Sequence, residues 1–549
     1  MLATPIAALN PGCSAPGEEG EDLADETAEA PYTANGTCDG LPKLNLQTPP
    51  GVCVGIVAEG ITFARGLTQL DDGDVIVAGM GGWAVDKGII WRLSKNGATY
   101  TKRQLLTLID KPSGIHVNPK DKLVYVGTPG DIFRFDPNQL PKPRLTQVLK
   151  EIPAENPNGG RHPLKHFTFD VQNPDVIYVN SGSASDNCEK DGQFPRNCWE
   201  EAINRGSIRK YVMTGPERKA AGYTVHARGL RNSMALTMHP TSGLLLQGEN
   251  ARDSINKRAP ELTSREAELP QEEINVVEAG QHYGWPYCYA NGVAAPEYRS
   301  WDCSAYKNPA LLLPGHSSPL GMRFYNGSMF PEASYKGNLL VTLHGYRESG
   351  HRLVLVPTDA RGVPAGEPLD IIRGWEKTPQ NPLGAPVDVM VAKDGSIWLT
   401  EDKNGTVLRV FYDRTRGDGK PLKTLPPVRP VVSPEEAARC NALARRNSGF
   451  SAVQKHVIDP SCTSCHGVGP GYAGGLALLK CDDIGNAKRL LAARRNNTPP
   501  YVLPRNVAGS EFVQRMKGNG FPQMPAGGVN PEGLAEVEAW INAGAPIPQ

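Results

Sequence analysis

The chain has 549 residues, and its 58 basic and 58 acidic side chains cancel. That neutral balance argues against a nucleic-acid partner held by phosphate neutralisation, and no run of 18 apolar residues is present to span a membrane. The length allows more than one domain, while 59 glycines and 49 prolines predict a turn-rich, mainly β protein.

Residues 1–42 contain no Lys or Arg, and Glu18, Glu19, Glu21, Asp22, Asp25, Glu26 and Glu29 crowd one stretch. Few side chains there could build a core, so a disordered acidic arm is expected. Leu2–Leu9 is a poor apolar run without a basic start, and no signal peptide is visible in it. Of eleven cysteines, Cys38 with Cys53, Cys188 with Cys198, and Cys288 with Cys303 are close enough in sequence to suggest local disulfides. Cys440 with Cys481 is a fourth expected pair, and Cys13 is left over. Such pairing implies an oxidising compartment.

Residues 43–415 repeat a pattern of small or proline turn, alternating strand, Asp/Asn/Gly turn and β-rich strand. The copies begin at Arg65, Ser113, Lys165, Arg231, Pro319 and Pro386. Several are followed by a strand with a shared stamp: Gly88-Ile-Ile-Trp-Arg-Leu93, Gly130-Asp-Ile-Phe-Arg-Phe135, Gly206-Ser-Ile-Arg209 and Gly405-Thr-Val-Leu-Arg-Val410. Six copies predict a six-bladed β-propeller. A pair of β-sandwiches would not repeat in this way.

The pattern stops after Tyr412, and residues 416–434 read as a Pro-rich linker. Residues 435–549 turn helical and contain Cys462-Thr-Ser-Cys465-His466, the C-x-x-C-H attachment sequence of a c-type haem. Cys462 and Cys465 would carry the thioether bonds, with His466 the proximal iron ligand. A zinc site would need a second ligand pair, and a thioredoxin-like pair would need a βαβ setting. Met524, in Phe521-Pro-Gln-Met-Pro525, is the expected distal ligand, since His/Met ligation suits electron transfer. Met516 is the alternative, within a helix-like run. Asn530-Pro531 opens a last helix with Leu534, Val537, Trp540 and Ile541 on one face and Gly544 as its C-cap. The expected second domain is therefore a small all-α cytochrome c.

Further blocks lie in the propeller: Asn158-Gly-Gly-Arg-His162, Gly229-Leu-Arg-Asn-Ser-Met-Ala235, Gly248-Glu-Asn-Ala-Arg-Asp253, Glu273-Ile-Asn275, Tyr283-Gly-Trp-Pro286, His316-Ser-Ser-Pro-Leu-Gly321 and Leu343-His-Gly345. In this order, over roughly Leu46–Tyr412, the chain resembles the PQQ-dependent soluble aldose/sorbosone dehydrogenase family. The resemblance implies that His162 is the catalytic base and that Arg231 stands by the quinone oxygens. It implies cofactor contacts from Arg65, Asn232, Asn250 and His344, and a Ca²⁺ held by the backbone carbonyls of Ala251 and Arg252. An imidazole suits the first role because its pKa lies near neutrality. Arginines suit a cofactor with three carboxylates, and hard oxygens suit calcium. His166 is the competing histidine. The chain departs from the family after His344, where Tyr346-Arg-Glu-Ser-Gly follows, at Ala385, and in the long charged 250–273 connection.

The expectation is a periplasmic quinohaemoprotein dehydrogenase acting on a sugar-like aldehyde, hemiacetal or alcohol. PQQ, Ca²⁺ and haem c are its expected cofactors, with an external electron acceptor. A calcium-dependent, lactonase-like hydrolase is one rival, though it has no use for a haem. A silent docking propeller is the other; it requires that Arg65, His162, Arg231 and His344 not share one end of the channel.

Overall fold

The computed structural model describes residues 32 and 34–548 except 155–161, 256–267, 299–300, 346–348, 379–380, 424–441, 444, 447–448, 463–475, 477, 480, 495–497, 522, 525–528 and 530. Six antiparallel sheets of four or more strands follow one another around a central axis. Their innermost strands are Ala64–Gln69, Ile115–Val117, Phe167–Phe169, Ala235–Met238, Pro319–Phe324 and Pro386–Val391, in blades 1 to 6. Each expected repeat supplies the inner two strands of one blade.

The second strand of each blade is buried on both faces: Val75–Gly79, Val124–Thr128, Val176–Ser181, Leu245–Glu249, Leu339–Leu343 and Ile397–Glu401. Blades stack face to face, so these strands cannot alternate apolar and polar, and they read as β-branched and leucine-rich runs. The stamp arginine also has a cause. In three blades it reaches, from the third strand, the aspartate of the turn between the first two strands, whereas Arg209 of blade 3 donates to the Ile203 and Asn204 carbonyls. Arg92 Nε lies 2.5 Å from Asp74, Arg134 Nη1 3.1 Å from Asp121, and Arg409 Nη2 2.8 Å from Asp394.

The ring closes through the N-terminus. Val52–Ala58 pairs with Thr406–Tyr412 and so becomes the fourth strand of blade 6. Leu41–Leu44 and Thr37–Cys38 extend that sheet, fastened by the Cys38–Cys53 disulfide. Thr37–Cys38 and the start of Leu41–Leu44, expected within the acidic arm, therefore belong to the propeller. Buried Cys38, Leu41 and Leu44, and Tyr32 close to Trp375 and Glu401, hold this segment on the propeller. Residues 1–31 lie outside the described residues. At the other boundary, Leu422–Lys423 pairs with Leu369–Ile372 as an extra strand of blade 5, within the stretch expected to be linker. The disulfides Cys188–Cys198 and Cys288–Cys303 are present as expected. Cys481 is disulfide-bonded, and its expected partner Cys440 lies outside the described residues.

Beyond the propeller, the helices Asp483–Leu491, Glu511–Lys517 and Pro531–Asn542 pack on Phe450–Val453 and the wide π-type turns of Gln454–Cys462 around a core of their own. Val537, Trp540 and Ile541 bury the inner face of the last helix, and Gly544 follows it at φ +95°, a backbone state that suits glycine after a helix. No helix among the described residues is long and apolar enough to cross a membrane.

Candidate active site at one end of the channel

The register of the blades decides which loops meet. Ala235 pairs with Gly248, Pro319 with Leu343, and Pro386 with Glu401. The start of each inner strand thus lies beside the end of the second strand, and all these ends face the same mouth. Arg65 begins the inner strand of blade 1. His162 precedes that of blade 3, and Arg231 and Asn232 precede that of blade 4. Asn250, Ala251 and Arg252 follow the second strand of blade 4, and His344 follows that of blade 5. All eight sit at this end. Beneath them Met80, Leu164, Met234, Leu320 and Val387, from five blades, form a buried apolar cluster across the channel.

His162 has φ +63°, a left-handed backbone state unusual for histidine. Its Nδ1 lies 3.0 Å from Ser183 O and 3.1 Å from Ser183 Oγ. The carbonyl can only accept, and the hydroxyl donates to Ser185 O at 2.6 Å. Nδ1 therefore carries the hydrogen, and in the neutral ring Nε2 is the basic nitrogen. Gly182 makes this approach possible, since a Cβ there would stand 2.6 Å from His162 Cβ. His166 has a different place. It is buried on Ser113 Oγ at 2.7 Å, and burial, then Arg65 and Lys165, lowers its pKa to about 3.

Arg231 is 2% exposed. Its Nη2 lies 2.8 Å from both Asp186 Oδ1 and Asp253 Oδ2. Nη1 donates to Ala251 O at 2.7 Å and Asn250 O at 3.2 Å, and Nε to Asp186 O at 3.2 Å. The Arg252 side chain forms a bidentate pair with Glu297, at 2.6 and 2.9 Å. Across the mouth, Asp402 joins two blades, accepting from His344 Nε2 at 3.0 Å and lying 3.3 Å from Arg65 Nη2. Burial alone would raise the Asp402 carboxyl; His344 and Arg65 outweigh it and hold the pKa below the usual aspartate range. In blade 4, burial pushes Glu249 and Glu272 up to about 8 and Glu273 to about 7.

Polar groups at this mouth remain to be completed. Arg65 Nε and Asn232 Oδ1, a donor and an acceptor, are both buried without a hydrogen-bond partner among the described residues, which is costly unless something completes them. For calcium, the carbonyls of Asn250 and Ala251 and the carboxylates of Asp186 and Asp253 are hard oxygens, but all four converge on the Arg231 guanidinium, and no cluster of three or more His, Cys, Asp or Glu that could hold a metal occurs among the described residues. The Arg231 guanidinium already lies on the Ala251 carbonyl, so a metal there would share or take that oxygen.

Ser183, Asp186, Glu272 and Asp402 were not singled out in the sequence, and Glu249, Asp253 and Glu273 lie in the blocks quoted above without a role of their own. Their partners are far away in the chain, and several act through backbone atoms. In the C-terminal unit, Cys462 is buried in the helical core, with Sγ 3.7 Å from Val457 O. Cys465 and His466 lie outside the described residues. Met524 is 37% exposed, whereas Met516 is 3% exposed and packed in the core.

Two family models match the propeller. One, described as TrAA12-like, covers residues 46–298, and one described as Glucose / Sorbosone dehydrogenase covers residues 214–409. A curated relative, a pyrroloquinoline quinone-dependent pyranose dehydrogenase of Coprinopsis cinerea, is 23% identical over 58% of this chain, which spans only 46% of that relative. An uncharacterised protein of Borreliella burgdorferi is 25% identical over 67% of this chain and 91% of its own length. Among solved structures, the holo PQQ domain of the Coprinopsis cinerea pyranose dehydrogenase superposes with a TM-score of 0.52 at 19% identity, covering 68% of this chain and 99% of that one. A calcium structure of a Trichoderma reesei Family AA12 carbohydrate-active enzyme gives 0.53 at 19% identity, covering 67% and 99%. These likenesses establish the propeller fold.

Proposed function

We propose that the chain is a PQQ- and calcium-dependent dehydrogenase that oxidises a sugar-like aldehyde, hemiacetal or alcohol and passes the electrons to a haem c in its own C-terminal unit. The observation that carries this reading is the fixed His162 ring, with its basic Nε2, at the same channel end as Arg65, Asn232 and Arg231. The family matches and the names of the relatives point the same way. That shared end also argues against a silent docking propeller.

PQQ, when bound, supplies an ortho-quinone that accepts hydride. Arg65, Asn232, Asn250 and His344 would hold it, with Arg231 beside its oxygens, and the carbonyls of Ala251 and Arg252 would hold calcium. His162 Nε2 takes the proton of the substrate hydroxyl as hydride leaves the carbon that bears it; the hydride carries both electrons removed, and the proton stays on the imidazole. The Ser183 carbonyl keeps the ring oriented and its tautomer fixed. Arg231, anchored by Asp186 and Asp253, places positive charge where negative charge develops. A haem on Cys462 and Cys465, ligated by His466 and Met524, would supply a one-electron acceptor on the same chain, which raises its effective concentration. Disulfide-bonded cysteines, with a haem attached outside the cytoplasm, point to a periplasmic or secreted setting.

The test is turnover of a dye acceptor by the full chain with PQQ and Ca²⁺ over a panel of aldoses, pyranoses and alcohols. Turnover that needs PQQ and disappears in H162Q supports the reading. PQQ binding by equilibrium titration with no turnover across the panel would remove it.

A further inference from the structure

His162 is anchored by a loop that is itself held from several sides. Arg205 donates from Nε to Gly182 O at 3.0 Å and from Nη2 to Ser183 O at 3.5 Å. Glu200 accepts from Ala184 N and Ser185 Oγ. Trp285 Nε1 and Arg231 Nε both bond Asp186 O, and Ser183 N donates to Arg231 O at 2.8 Å. One carbonyl, that of Ser183, therefore stands between the ring of His162 and a guanidinium that is 3% exposed.

Resting on the reading of His162 as the base, we propose that Arg205 is a positioning residue that keeps the His162 imidazole neutral, with its lone pair on Nε2. A carboxylate behind the ring would stabilise the imidazolium; a fixed cation in that place does the opposite. Arg205 also draws charge from the carbonyl that accepts the Nδ1 hydrogen. Burial, with repulsion from Arg209 added, lowers the Arg205 pKa to about 10, so it remains charged at neutral pH. Among the described residues, the other charged groups around the anchoring loop have partners of their own or carry a reduced charge. Asp186 and Asp253 face Arg231, and Arg252 faces Glu297. Glu189 accepts from the Asp186 and Asn187 amides. Burial raises Glu200 to about 7, so near neutral pH it carries at most part of a charge. On the approach to the inner strand, buried Lys165 is lowered to about 7 and His166 to about 3, and neither adds negative charge. A base held neutral accepts the substrate proton over a wider acid range, and the imidazolium it forms faces Arg205 and passes the proton on readily.

The experiment is a histidine titration by NMR on the full chain, with ¹⁵N-labelled histidine and H162Q for assignment, without PQQ or sugar. The expected result is a His162 pKa below the ordinary value of about 6.5, raised by about one pH unit in R205Q and brought back in R205K. In the PQQ-loaded enzyme the R205Q loss in kcat/KM should deepen towards acid pH, to about tenfold for a one-unit shift. A His162 that titrates at or above 6.5 in the unmodified protein overturns the proposal, and that measurement needs no variant to fold. So does an R205Q titration that stays in place, or a loss in kcat/KM equal at every pH. If the titration follows the charge at position 205 while no sugar is oxidised, Arg205 keeps its role and the dehydrogenase reading falls. If sugars are oxidised and the titration ignores residue 205, the reverse holds.

Discussion

Replacing Asp402 with asparagine tests whether the channel mouth is held by charge. Asp402 is buried, accepts from His344 in blade 5 and faces Arg65 in blade 1. Asparagine has the same shape and can keep the bond to His344, but it leaves Arg65 buried without its counter-charge. Breaking a buried pair from one side costs about 3–5 kcal/mol. With one hydrogen bond kept, we expect the lower end, about 3 kcal/mol. Urea unfolding followed by tryptophan fluorescence should show a lower midpoint at unchanged slope, and an R65M/D402N cycle should show most of the loss as coupling. The pH dependence has a definite sign. The Asp402 pKa is held low in the folded state, so its stabilisation is present above the unfolded value of about 3.9 and is lost as pH falls through the folded pKa. The gap between parent and variant should therefore close in acid. A loss below about 1 kcal/mol at pH 7, the scale of an exposed ion pair, would refute the reasoning.

H162Q should lower kcat by about 10²- to 10⁴-fold while PQQ affinity, read by titration, changes little. Glu273 and Glu200, each raised to about 7 chiefly by burial, stabilise the fold fully below the unfolded value of about 4.3 and less as pH rises through 7. Calorimetry should accordingly show Tm falling between pH 5 and pH 8, with a shallower fall in E273Q. M524A should abolish the His/Met signature of the haem spectrum without large destabilisation. M516A should keep that signature and lose about 2–5 kcal/mol, because Met516 is core.

The six blades were legible because each repeat carries a strand buried on both faces, and such strands have a plain apolar signature. The stamp arginine was visible as a pattern; in three blades an aspartate partner supplies the cause, and in blade 3 Arg209 bonds backbone carbonyls instead. The closure was not legible. Val52–Ala58 finds its partner at Thr406–Tyr412, and nothing local marks that pairing. For the same reason Cys38–Cys53 was anticipated while the segment it pulls onto blade 6 was assigned to the arm. The expected site residues of the propeller reach one channel end because they flank inner strands, a position that repeats expose. The groups that orient them were hidden. Ser183 acts through a carbonyl 21 residues from His162, and Arg205 through two carbonyls, so residue type says little. Asp402 has meaning only beside Arg65 and His344, which three blades bring together.

The central claim is that sugar oxidation at the propeller delivers electrons to a haem on the same chain. A visible absorption spectrum of the 549-residue chain with PQQ and Ca²⁺, taken before and after adding aldoses or alcohols, tests it most directly. The account predicts reduced-haem bands that grow only when PQQ and a substrate are both present, and that fail to grow in H162Q. Bands that develop with a chemical reductant but with no sugar or alcohol, in protein shown by titration to hold PQQ, would contradict it.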